Sequence, residues 1–182
     1  MIIAVSGLHG TGKTTIAKRI ADRFALKHYS TGMLFRELAK ERDMSLEELS
    51  RLAEKDRSID LALDSKIEEY AKKGDCVLDN QLSPYLLGEI VDYCVLLKCA
   101  KDVRLRRMVD RDSDDMAKKI QETQIREESE RKRFIDYYNV DLLDANLIMG
   151  TFDLIVDTTN LNIDSVVSVV ATGVEEFEKN TE

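Results

Sequence analysis

The chain has 182 residues, of which 43% are hydrophobic and 34% charged, a balance that supports one compact domain and excludes a disordered, collagen-like or coiled-coil chain. A formal charge of −8 and a pI near 5.0 exclude a basic nucleic-acid-binding surface, and no apolar run reaches the roughly 18 to 20 residues of a membrane-spanning helix. Met1 to Ser6 lack the basic flank and length of a signal peptide, so the expected location is the cytoplasm. Cys76, Cys94 and Cys99 are odd in number, form no CxxC pair and sit in apolar runs, which predicts reduced, buried thiols.

Ile2 to Ser6 form an apolar, β-rich run, followed by a glycine-rich segment and a helical pattern with Ile16, Ile20, Ala21 and Phe24 on one face. A second strand is expected around His28 and Tyr29, before Ser30-Thr31-Gly32. Residues 33–73 turn charged and helical, with a capping-box pattern at Ser45-Leu46-Glu47-Glu48 and Ile59, Leu63, Ile67 and Tyr70 at helical spacing. Strands are predicted at Cys76 to Asp79, Tyr93 to Leu97 and Phe152 to Asp157. Helices are predicted over about 102–111 and 115–138, and in a final segment with Val166, Val170, Val174 and Phe177 on one face. Strands alternating with helices imply an α/β fold, a doubly wound parallel sheet of about five strands.

Gly7-Leu8-His9-Gly10-Thr11-Gly12-Lys13-Thr14 satisfies GxxxxGK[ST] directly after a strand and at the opening of a helix, where a phosphate-binding loop must lie. Backbone amides converge on phosphate oxygens only where glycine permits close approach and unusual dihedrals, and the helix N-terminus adds partial positive charge. The run from Gly7 to Thr15 is therefore the expected ATP-binding segment. Lys13 reaches the terminal phosphates and the Thr14 hydroxyl ligates Mg²⁺. His9 reads as a residue tolerated at a variable position rather than a catalyst, and Thr15 as helix structure. Asp79, at a strand end beside the loop, would hold a water on the metal. Such a loop leaves kinases, GTPases, motors and switches open. There is no NKxD guanine-recognition element, and the chain is too short for the further domains of a motor ATPase.

Arg126, Glu130 and Arg133 stand at i, i+4 and i+7 of one predicted helix, so they share a face. The acid is expected to hold both guanidinium groups toward a transferring phosphoryl group. The segment from Lys101 to Arg133 carries 11 Lys and Arg against 9 Asp and Glu, so positive charge is concentrated there within an acidic chain.

From Ile2 to about Asp157 the chain resembles the nucleoside monophosphate kinases, most closely the archaeal-type cytidylate kinases. The motifs that carry the resemblance are Gly7 to Thr14; Ser30-Thr31-Gly32 with Phe35-Arg36-Glu37-Leu38-Ala39; the strand ending at Asp79; and Arg126 to Arg133 continuing to Tyr138-Asn139-Val140-Asp141. The resemblance implies a P-loop kinase core (1–29, 74–111 and 126–182), an acceptor-binding insert at about 30–73 and a short lid at about 112–125. It implies ATP as donor with Mg²⁺, CMP or dCMP as acceptor, and a monomer without nucleic-acid or membrane partners. Lys13, Arg126 and Arg133 are then catalytic, and Arg107 lies near the donor nucleotide with Arg111 at the lid. Thr31, Gly32, Arg36, Asp79, Gln81, Arg126, Glu130 and Arg133 face the acceptor. Gln81 stands where these kinases usually carry an arginine, and it can hydrogen-bond but cannot supply a charged fork. An acceptor phosphate with a second pKa near 6 is already ionised and needs no general base. A related kinase acting on another monophosphate or on a hydroxyl compound, with Asp79 as base, stays open from the residues alone, as does a non-enzymatic ATP-dependent switch.

Overall fold

The computed structural model describes residues 1–112 and 115–181, except for the side chains of Arg111 and Asp112. The elements run β1 (Ile2–Ser6), α1 (Lys13–Arg23), β2 (Lys27–Ser30), α2 (Thr31–Glu41), α3 (Leu46–Ala53), α4 (Ser58–Lys72), β3 (Cys76–Asp79) and α5 (Ser83–Leu86). A short 3₁₀ turn at Gly88–Ile90 leads to β4 (Tyr93–Lys98), α6 (Lys101–Asp112), α7 (Met116–Tyr138), α8 (Ala145–Thr151), β5 (Leu154–Asp157) and α9 (Ile163–Thr181). All strand pairs are parallel, in the order β2-β3-β1-β4-β5. The expected five-stranded doubly wound sheet is the observed fold.

Alternation along the strands builds the two layers. Ile3, Val5, Val77, Val95 and Leu97 face α1 and α9, where Ile16, Ile20, Val166, Val170 and Val174 close one core. Ala4, Cys76, Leu78 and Cys94 face the other way, onto Ile67, Ala71 and Phe152. Gly173 sits mid-helix in α9 because a Cβ there would come within 2.6 Å of the Tyr93 hydroxyl. Cys76 and Cys94 are buried free thiols, and burial raises them to about 11 and about 12. Cys99, expected buried, is only half-buried, because it lies beyond β4 at the approach to α6.

Helices α2 to α4 form the insert around their own small core of Phe35, Ala39, Leu49, Ala53, Ile59 and Leu63. The capping box is present: Ser45 Oγ accepts from the Glu48 amide at 3.1 Å, and Glu48 returns a bond to the Ser45 amide at 2.7 Å. β5 starts at Leu154, two residues later than expected, because Phe152 caps the end of α8 and buries its ring edge-on to Tyr85. Neither α5 nor α8 was expected. Pro84 opens α5, and Asp144 caps α8 through the amides of Asn146 and Leu147. The range expected as a lid is mostly the first turns of α7, which starts at Met116 with Asp115 accepting from the Lys118 amide.

Because every strand is parallel, the loops after β1, β2 and β3 open on the same sheet edge. Register places Asp79 beside Val5 on one side and Ser30 on the other. This brings the phosphate loop, the start of the insert and the Asp79-Asn80-Gln81 turn together. β1 lies between β3 and β4, at the point where the chain changes winding direction.

Candidate active site

Glycines shape the loop between β1 and α1. Gly7 has φ of 145°, and a Cβ on it would lie 2.4 Å from the Leu97 carbonyl oxygen; Gly10 has φ of 79°, and its Cβ would lie 2.6 Å from the Arg104 carbonyl oxygen. A side chain at either position would push the loop off the strand or off α6. Gly12, at φ 98°, begins α1 with no side-chain cap, and the first turn contains no acidic residue. The free amides and the helix dipole are thus left to an anion.

Lys13 Nζ donates to the Leu8 carbonyl at 3.1 Å, folding the ammonium back over the loop. Burial lowers its pKa, and the nearby Arg126 adds to this, while Asp79 and Glu130 oppose it. A lysine so desolvated gains by meeting phosphate oxygens. Thr14 Oγ1 donates to Asp79 Oδ2 at 2.6 Å. Burial alone would raise Asp79, but His28, with Nε2 3.7 Å away, Lys13 and the Thr14 hydroxyl outweigh it and hold the carboxyl below its usual range.

Glu130 on α7 is the hub of the far wall. Its Oε1 accepts from Arg126 Nε at 3.0 Å; its Oε2 accepts from His9 Nε2 at 2.7 Å and Gln81 Nε2 at 3.0 Å. Burial opposes ionisation of Glu130, yet His9, Arg126 and Gln81 together push it far below the usual carboxylate range. Burial also lowers the pKa of His9, against the pull of Glu130. An ionised carboxylate only accepts, so the ring nitrogen facing it, Nε2, carries a proton.

Expected residues separate into those that meet and those that do not. Thr14 and Asp79 form one hydrogen-bonded pair and Gln81, Arg126 and Glu130 form another set with His9, and the charge of Lys13 interacts with both Asp79 and Glu130. Arg107 sits on the opposite flank of the loop, with Nη2 on the Thr158 carbonyl at 2.7 Å and Nη1 on Thr158 Oγ1 at 3.1 Å; that hydroxyl donates to the Thr11 carbonyl at 3.2 Å. Thr31 accepts at Oγ1 from Asn80 Nδ2 at 2.6 Å, and the exposed Arg36 guanidinium passes over Gly32. Leu8 contributes a carbonyl oxygen to Lys13 and Thr11, whereas Thr15 is exposed on α1. The Arg111 side chain lies outside the described residues.

Arg133 corrects the expected pair of guanidiniums held by Glu130. It is 3% exposed; its Nε donates to Asp60 Oδ2 at 2.8 Å and its Nη1 to Ser129 Oγ at 2.7 Å and the Ser50 carbonyl at 3.4 Å. The i+7 spacing does place it near Glu130's face of α7, but an unpaired buried carboxylate in the insert captures it. Tyr137 and Tyr138 add to the same seam: the Tyr137 hydroxyl donates to the carbonyls of Ala53 and Glu54, and that of Tyr138 donates to Asp64.

Four residues at the site were not anticipated. Arg104 joins the His9 carbonyl to Glu127, at 2.6 Å to each, and its position one turn before Arg107 was the signal available. Asn80 caps α5 through the amides of Leu82 and Ser83 while holding Thr31. Thr158, just past β5, occupies a strand end where ligands of such sheets bind, and His28, the second residue of β2, brings its ring nitrogen to 3.7 Å from Asp79 Oδ2.

Among the described residues, no cluster of three or more His, Cys, Asp or Glu side chains could hold a metal ion. A hydroxyl and a carboxylate 2.6 Å apart at the head of α1 fit a hard cation that takes most of its ligands from phosphate and water.

A family model described as an AAA domain matches residues 3–135. The cytidylate kinase of Staphylothermus marinus is 39% identical over 98% of this chain and 99% of its own length. That of Methanocaldococcus jannaschii is 37% identical over 98% of this chain and 100% of its own, and that of Aeropyrum pernix 40% identical over 93% and 96%. Among solved structures, the shikimate kinase of Bacteroides thetaiotaomicron superposes with a TM-score of 0.62 at 14% identity, covering 96% of this chain and 98% of that one.

Proposed function

Since the chain belongs to the cytidylate kinase family of P-loop kinases, we propose that it transfers the γ-phosphoryl group of ATP to CMP, and to dCMP, giving CDP and ADP. The observation that carries the reading beyond likeness is the meeting of Lys13, Arg126 and the Thr14–Asp79 pair around a glycine loop that opens a helix with no side-chain cap. These are the groups that in-line phosphoryl transfer between two nucleotides requires.

The loop from Gly7 to Thr14 takes the donor phosphates, and Lys13 leaves the Leu8 carbonyl for the β- and γ-oxygens. Thr14 would ligate Mg²⁺ and Asp79 would hold one of its waters, the ion supplying charge neutralisation between the β- and γ-phosphates. Arg107 lies along the donor, tied to the loop through Thr158. Arg36, Thr31 and Gly32 admit the acceptor phosphate at the start of the insert, with Gln81 at the base of that approach. Arg126 stabilises the charge that spreads over the transferring group. Arg133 fastens the insert to α7.

No general base is assigned. A monophosphate with a second pKa near 6 is already mostly dianionic at neutral pH, and Asp79, held below the usual carboxylate range by its neighbours, is poorly suited to take a proton from a hydroxyl. This disfavours a hydroxyl acceptor. Among the described residues no helix is long and apolar enough to cross a membrane; we take the enzyme as a monomer working in the cytoplasm. Incubation with [γ-³²P]ATP, MgCl₂ and CMP should yield labelled CDP; label released only as inorganic phosphate would overturn the assignment.

A further inference from the structure

Helix α7 grips the phosphate loop at one residue, from two sides. Glu130 Oε2 lies 2.7 Å from the His9 imidazole Nε2. One turn earlier, Glu127 binds Arg104 at 2.6 and 3.3 Å, and the same guanidinium donates to the His9 carbonyl at 2.6 Å. Glu127 and Glu130, three apart, share a helix face, Glu130 reaching the loop directly and Glu127 through Arg104. Among the described residues of the loop, His9 alone has a side chain bonded to α7.

What this bond controls is the direction of Glu130. A carboxylate aims a guanidinium only if it is itself held. Here His9 and Gln81 both donate to Oε2, from the phosphate loop and from the turn after β3, and leave Oε1 to Arg126 Nε. Gln81, one of the two donors on Oε2, is an uncharged amide and does not compete as a cation with Arg126. It thus binds the acid without adding a second guanidinium to it. His9 is poorly placed to bind phosphate through Nε2, which is already engaged by Glu130.

Resting on the phosphoryl-transfer reading above, we propose that His9 is a positioning residue which, through Glu130, fixes the Arg126 guanidinium over the phosphate loop before the two nucleotides meet. The loop thereby sets the geometry of the helix that closes on it. A long side chain pinned in advance does not have to be ordered as the transition state forms.

The test compares wild type, His9→Ala, His9→Gln, Arg126→Ala and the double variant His9→Ala/Arg126→Ala in steady-state transfer from Mg-ATP to CMP. Glutamine keeps an N–H donor at similar reach. The expected result is a kcat about tenfold lower in His9→Ala, with KM for both nucleotides changed less than about threefold, and recovery to within about threefold of wild type in His9→Gln. In the Arg126→Ala background, the histidine substitution should cost less than about twofold. An unchanged kcat in His9→Ala, a loss confined to the KM for ATP, a full tenfold loss in the Arg126→Ala background, or a glutamine variant as impaired as alanine would each overturn the proposal.

Nitrogen-15 NMR of the imidazole separates this from the choice of substrate. A slowly exchanging Nε2–H proton is expected in wild type and should broaden away in Glu130→Ala, with the amide spectrum otherwise native. An Nδ1–H tautomer, or an Nε2–H signal indifferent to Glu130, overturns the proposal whatever the acceptor. Wild-type inactivity toward CMP with the NMR signature intact would instead refute the assigned acceptor and leave the His9 link established.

Discussion

Replacing Arg133 with methionine tests whether that residue fastens the insert or serves the chemistry. The side chain is 3% exposed and bonded to Asp60, Ser129 and the Ser50 carbonyl. Methionine keeps much of the stem but strands the Asp60 carboxylate, which burial already raises above its usual pKa and which Arg133 pulls down against burial and the charge of Glu130. Breaking one side of a buried pair costs roughly 3–5 kcal/mol, a large share of a typical 5–15 kcal/mol domain stability. With a urea slope of about 2 kcal/mol/M, the unfolding midpoint at pH 8 should fall by roughly 1.5–2.5 M. A raised folded-state pKa means that stability is fully present below the unfolded value and is lost as pH rises through the folded one. The deficit of Arg133→Met should therefore shrink toward pH 5, as Asp60 takes up a proton, and Arg133→Met/Asp60→Leu should regain most of the midpoint. Under native conditions kcat should stay within about threefold of wild type, because no interaction with the transferring group is assigned to Arg133. A midpoint unchanged from wild type together with a kcat loss of about a hundredfold or more would refute this account and restore the catalytic role that the helix spacing suggests.

Lys13→Ala should lower kcat by roughly a thousandfold while leaving the urea midpoint within about 0.5 M of wild type, since the desolvation of the ammonium offsets its attraction to Asp79 and Glu130; near-normal turnover would remove it from the phosphate site. Arg36→Ala should raise the KM for CMP by about tenfold or more, the worth of one charge-assisted contact, with KM for ATP nearly unchanged. Equal losses for both nucleotides would remove its acceptor role. Asp64 is raised to about 6, chiefly by burial, so its ionisation costs stability as pH climbs from about 4 to 6. Asp64→Asn should gain on wild type across that window by up to roughly 3 kcal/mol in paired urea titrations, and a difference independent of pH would show that the burial of Asp64 carries no such cost.

The fold was legible because its determinants are local. Alternating apolar strands, the glycine loop with its following helix, and the Ser45–Glu48 capping box each declare themselves within a few residues. The loop and the Thr14–Asp79 pair follow from the same logic, since parallel register alone carries Asp79 to the head of α1. What failed were pairings between distant segments. Spacing correctly put Arg126, Glu130 and Arg133 on neighbouring positions of α7, but the acid that claims Arg133 comes from α4, in the insert, where Asp60 has no local pattern to announce it. His9 looked incidental because the motif leaves its position free; its meaning comes from Glu130, 121 residues later. Arg104 was passed over beside the more obvious Arg107, although a helix that presents one of them to the loop must present the other one turn away. The short α5 and α8 depend on single caps, Pro84 and Asp144, too small a signal to stand out between strands.

The central claim is the identity of the phosphoryl acceptor, and ADP release from Mg-ATP in the presence of CMP, dCMP, UMP, AMP, GMP and hydroxyl compounds tests it most directly. The proposed function predicts the highest kcat/KM for CMP, with dCMP also used and AMP and hydroxyl acceptors at least about tenfold lower, a gap of about 1.4 kcal/mol in transition-state stabilisation. AMP or a hydroxyl compound exceeding CMP by tenfold, or no small acceptor raising ADP release at all, would contradict it.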